Sequence, residues 1–134
     1  MFSASGPSIV AGMRFAQDSY HGNSISAYAD GQITVNDQII VSSVIVTPDR
    51  IIRDWLPDSF AGLEPGHVAR LAELEPEIIV LGTGAATRFP PPDYTAGFLT
   101  QGIGVEIMGT AAACRTFNIL ISEERRVVAA LLLS

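Results

Sequence analysis

The side chains equipped for chemistry gather between residues 77 and 122 of the 134-residue chain. Gly82-Thr83-Gly84 directly follows an apolar run, Ile78-Ile79-Val80-Leu81, and Arg88 follows four residues later. A glycine turn at the carboxyl end of a strand is where parallel sheets receive ligands. Its amides, the Thr83 hydroxyl and the Arg88 guanidinium suit a small anion. The turn begins like the dinucleotide fingerprint G-x-G-x-x-G, but Thr87 stands at the third glycine. Pro90-Pro91-Pro92 then forbids the long helix whose N-terminus would hold a pyrophosphate.

Glu106 sits in a second apolar run, Ile103-Gly104-Val105-Glu106-Ile107-Met108. A carboxylate in a buried strand must be paired, hydrogen-bonded or protonated. Two readings follow: a general acid or base, or a structural partner of Arg115 or an edge residue. Thr110 is placed to cap the next helix and bring its N-terminus to the glycine turn. The candidate ligand-binding set is therefore Thr83, Gly84, Arg88, Glu106, Thr110 and Arg115, for a small anionic ligand. Cys114 lacks a base in its own segment, since His21 and His67 lie in unrelated stretches, and it reads as a small core residue. One cysteine and two histidines show no metal-ligand spacing, and no metal or cofactor is expected.

These residues need elements to position them. Ile25, Ala27 and Ala29 alternate with polar neighbours, Asp30-Gly31 marks a hairpin, and Asn36-Asp37 marks a second turn. The β-branched residues 38–46 complete a three-stranded antiparallel meander over 24–46, ended by Thr47-Pro48. Ile51, Ile52 and Trp55 suit a short strand or turn. Pro65 opens a short amphipathic helix carrying Val68, Leu71 and Ala72, and Pro76 stops it. Residues 77–81 show no alternation, as in a strand covered on both faces. Residues 94–101 read as a helix closed by Gly102, 103–108 as a parallel strand, and 110–121 as a helix. On that last helix Cys114, Phe117 and Ile121 form one stripe, and Arg115, Asn118 and Ser122 the next. Residues 127–133 form a final buried strand. The expected fold is α/β: three layers around a mixed sheet, antiparallel strands first and βαβα units after. Residues 1–14 read as an extended lead-in to one domain over 15–134.

Net charge is −6, and all eight basic residues are arginines. No basic cluster exceeds Arg125-Arg126, which argues against nucleic acid and anionic membrane surfaces. No apolar run approaches the ~20 residues of a membrane helix, so no membrane insertion is expected. The N-terminus lacks a secretory pattern, and a single cysteine suits a reducing compartment; the expected location is the cytoplasm.

The blocks Glu77-Ile-Ile-Val-Leu-Gly-Thr-Gly84 and Gly104-Val-Glu-Ile-Met-Gly-Thr-Ala-Ala-Ala-Cys-Arg-Thr-Phe-Asn-Ile-Leu-Ile121 resemble the adipogenesis-associated Mth-like domain family. The proline loop after the glycines and Ile45-Val-Thr-Pro48 with Trp55 downstream fit as well, and the likeness extends from about residue 25 to 133. Gly109 departs from the acidic residue expected there in many relatives. The resemblance implies a three-layer α/β fold. The family includes a mitochondrial assembly factor of respiratory complex I, so it also implies a protein partner and a non-catalytic assembly role. Arg88 and Tyr94 are the expected contact residues, beside Phe98 and Leu99, because aromatic residues and arginine are the common interface anchors.

Overall fold

The computed structural model describes residues 22–134 apart from 30, 54 and 56. The lead-in expected over 1–14, and the onset of order expected near residue 15, lie outside the described residues.

The meander begins as its pattern dictates. Strands β1 (Ile25–Ala29), β2 (Gln32–Val35) and β3 (Gln38–Ile40) pair antiparallel in that order. Gly31 (φ 78°) and Asn36 (φ 55°) take the left-handed backbone that the two tight turns require. The run 38–46 does not continue as one strand. It breaks at Ser42-Ser43, and β4 (Val44–Val46) leaves for a second sheet, where it pairs antiparallel with β5 (Ile51–Ile52) and with β8 (Val127–Leu132). The β-branched pattern is alike on both sides of the break, so local preference cannot reveal which sheet each half joins.

That second sheet has five strands in the order β5-β4-β8-β6-β7, with β6 spanning Ile78–Thr83 and β7 Gly104–Met108. β6 runs parallel to both neighbours, with Leu81 opposite Ile107 on one side and Ala130 on the other. The mixed sheet is thus as expected. β6 and β8 are buried along their whole length.

Both faces of the large sheet are covered. On one face Ile78, Val80, Val127, Ala129 and Leu131 meet helix α3 (Thr110–Ser122) through Ala113, Cys114, Phe117, Leu120 and Ile121. Ile25, Ile33, Val35 and Ile40 bring the inner face of the small sheet to this same core. On the other face Ile79, Leu81, Val128, Ala130 and Leu132 pack against Trp55, Leu63, Val68, Leu71 and Phe98. Those come from the segment after β5, from α1 (Pro65–Ala69) with its 3-10 extension Arg70–Leu74, and from α2 (Ala96–Thr100). The result is the expected three-layer α/β arrangement. Pro65 opens α1 as read, and Gly102 (φ 74°) follows α2. The helix expected over 94–101 is shorter, because Pro92–Tyr94 forms a separate 3-10 turn before it.

Candidate functional site

The strand-end turn and the start of α3 meet through reciprocal hydrogen bonds. The Gly84 N–H donates to Thr110 Oγ1 at 2.8 Å, and the Thr110 N–H donates to Gly84 O at 2.8 Å. The Thr110 hydroxyl in turn donates to Leu132 O at 2.6 Å. One fully buried side chain thereby ties the ends of β6 and β8 to the first turn of α3. Thr110 is not the helix cap. Gly109 occupies that place, and Thr110 is the first helical residue, its hydroxyl turned to the strands. A capping position cannot be told from the next residue by a threonine's identity alone, and here burial against two strands decided it.

Two glycines make this approach possible. A Cβ on Gly82 would lie 2.9 Å from Thr110 Oγ1 and 3.1 Å from Ala113 Cβ, so α3 can seat against β6 only over glycine. Gly84 has φ 95°, and a Cβ there would meet Ser134 O at 2.9 Å.

The loop beyond folds upon itself. Thr83 Oγ1 lies 2.6 Å from Ala86 O, to which it donates, and it accepts the Arg88 N–H at 3.1 Å. The Gly109 N–H donates to Thr87 Oγ1 at 3.1 Å. The structure therefore brings Thr83, Gly84 and Thr110 together, with the two hydroxyls and the Gly84 amide bonded within the protein. The Arg88 side chain is exposed on the loop.

Among the described residues, no side-chain hydrogen bond or salt bridge joins Glu106 or Arg115 to this knot. Glu106 was expected in a buried strand, but it is exposed, because β7 is the outer strand of its sheet and pairs only with β6 among the described residues. Arg115 is exposed on α3, where it lines a cavity of about 220 Å³ with Tyr28, Ala111, Cys114 and Asn118. Neither takes part in the salt bridges of the described residues, which join Glu77 to Arg125 and Arg126. Burial pushes the Cys114 thiol up to about 11, with the Arg115 charge opposing it. At neutral pH the thiol is protonated, which suits a core residue and not a nucleophile.

The residues expected to make contacts lie around the proline loop. Tyr94 is half-buried against the second core, and its hydroxyl donates to Leu63 O at 3.4 Å. Phe98 is buried. Leu99 is 74% exposed and Phe89 71% exposed. Phe89 is the residue that the pattern missed. Its sole sequence signal is an aromatic side chain between an arginine and three prolines, where no strand or helix can hide it.

A family model described as a protein of unknown function (DUF498/DUF598) matches residues 25–132. The chain is 31% identical over 121 residues to NADH dehydrogenase (ubiquinone) 1 alpha subcomplex assembly factor 3 of Xenopus tropicalis, covering 89% of this chain. It spans 66% of that protein's length, and 64% and 51% of the counterparts from Danio rerio and Drosophila melanogaster. Among solved structures, a Bordetella parapertussis protein is similar at 35% identity with a TM-score of 0.79, covering 87% of this chain and 99% of that one. A Bordetella pertussis protein described as a Mth938-like domain is similar at 29% identity with a TM-score of 0.76, covering 90% and 92%. With the fold and nearly all of the described chain inside that likeness, the chain belongs to the DUF498/DUF598 family of Mth938-like domains.

Proposed function

We propose that this domain is a non-catalytic interaction module that helps to assemble a larger protein complex. The observation that carries the reading is the similarity, over 89% of this chain, to a protein named as an assembly factor. The surface is consistent with it. Arg88, Phe89 and Leu99 are exposed and Tyr94 half-exposed on one loop and the short helix after it, and arginine and aromatic side chains are enriched at protein interfaces.

The test is purification of the tagged full chain from its own cells, with native mass spectrometry of what accompanies it. The expected result is a stoichiometric protein partner whose recovery falls about tenfold with Arg88→Glu or Tyr94→Ala, the scale of an interface anchor. Recovery of the chain alone, together with turnover of a metabolite by the purified protein, would overturn the reading.

A further inference from the structure

We infer that residues 88–91 are a preformed polyproline II ligand, presented to a partner protein whose groove is lined by aromatic side chains. The inference rests on the assembly reading above and names the class of partner.

Phe89 is the starting point. Trp55, Phe98 and Phe117 are buried, as apolar burial dictates, while Phe89 is 71% exposed. The loop has no freedom to tuck it away. On one side the Arg88 N–H is held by Thr83 Oγ1 at 3.1 Å. Next to Phe89 on the other side, Pro90 is buried and acts as a peg. Beyond it the Tyr94 N–H donates to Pro91 O at 3.0 Å and closes the 3-10 turn. Phe89 is displayed between fixed points.

The backbone between those points is extended. Phe89, Pro90 and Pro91 each precede a proline, which disfavours the helical region and favours extended or polyproline II geometry. Pro91 has φ −52° and ψ 140°, at the edge of that region. A polyproline II helix repeats every three residues. Phe89, Pro90 and Pro91 then take its three edges in turn. Burial follows that division: Pro90 faces the protein, while Phe89, Pro91 and Pro92 are exposed. Two edges are thus left open to a partner, in a segment that loses little conformational entropy on docking.

The chemistry selects the partner. Grooves that receive polyproline II segments are built from aromatic side chains that stack on the proline rings. Arg88 at the head of the segment is exposed and calls for a carboxylate beside the groove. Leu99 is 74% exposed on α2, which packs against the 3-10 turn and continues the apolar surface. A partner protein is favoured over a second copy of this chain: Trp55, Phe98 and Phe117 are buried, and Tyr28, Phe60 and Tyr94 are partly buried against the two cores.

The experiment uses the full chain in its own cells, with the photo-reactive benzoylphenylalanine in place of Phe89 and mass spectrometry of the cross-linked peptides. Phe89→Ser and Pro91→Gly are compared with wild type for recovery of the partner, and circular dichroism verifies their folding. The expected result is cross-links confined to one Trp- or Tyr-bearing segment of one partner. Phe89→Ser should weaken partner binding by at least about tenfold and Pro91→Gly by several-fold, and a synthetic peptide of residues 86–94 should displace the partner. A partner retained by both folded variants overturns the loop as the ligand and leaves the assembly reading standing. Cross-links spread over lipid or over non-aromatic surface overturn the groove. Absence of any stoichiometric partner overturns both readings.

Discussion

The hydroxyl of Thr110 is both donor and acceptor between two strand ends, bonding Leu132 O and the Gly84 N–H in a fully buried place. Replacing it with the near-isosteric valine keeps the volume and strands both backbone groups without a partner. A buried polar group left unsatisfied costs ~1–3 kcal/mol, so Thr110→Val should lower unfolding stability by about 2–4 kcal/mol in urea denaturation. Thr110→Ser keeps the hydroxyl, loses one methyl, and should cost about 1 kcal/mol. Similar losses in the two variants would mean that the methyl, not the hydrogen bonds, holds the turn. The threonine itself was legible in the sequence as a helix-start residue. Its role was not, because the partners that claim its oxygen lie 26 and 22 residues away.

Among the elements, the parallel strands β6 and β8 are pinned at their starts by one carboxylate. Glu77, just before β6, takes Arg125 Nε at 2.8 Å on Oε1 and an Arg126 guanidinium nitrogen at 3.2 Å on Oε2, both from the turn entering β8. The hydrogen bond from Arg125 and the positive charge of both arginines hold the Glu77 carboxyl below its ordinary value of 4.5. A carboxylate lowered on folding adds stability that is present above the unfolded value and lost as pH falls through the folded one. Wild type should therefore be the more stable at pH 7 when compared with Glu77→Gln. That gap should begin to close near pH 4.5 and vanish at still lower pH, as read from thermal melts across pH. A gap that persists unchanged into strong acid would show that Glu77 acts through packing. The arginine pair was visible in the sequence as the longest basic run, and the structure gives it a use: it closes the ends of two adjacent strands.

At the scale of the molecule, the small sheet is joined to the rest largely through α3. Asn118 on that helix accepts the Ile25 N–H on Oδ1 at 3.0 Å and donates Nδ2 to Ile25 O at 2.7 Å, standing in for a neighbouring strand where β1 has its register shift. Asn118→Ala removes both bonds. It should cost about 1–2 kcal/mol, which is roughly a 5- to 30-fold change in an opening equilibrium. Hydrogen exchange should accelerate by that factor in β1 and β2 and leave the amides of β6 and β8 unchanged, because local openings follow cooperative units. Equal acceleration throughout would show that the two sheets open as one unit.

The sequence by itself determined the layers. Unbroken apolar runs at 78–81 and 127–133 have no polar face to offer water, so they had to become strands covered on both sides. Asp30-Gly31 and Asn36-Asp37 set the two hairpin turns through local backbone preference. Alternation and turn residues, however, act over only a few positions. They could not say that residues 38–46 divide between two sheets, that β8 inserts between β4 and β6, or that β7 lies outermost. Those placements rest on long-range packing of similar apolar surfaces, and they decide the character of the polar residues. Glu106 faces water because its strand is outermost, the Thr110 hydroxyl is enclosed because β8 ends beside it, and Phe89 is displayed while its neighbour Pro90 is buried.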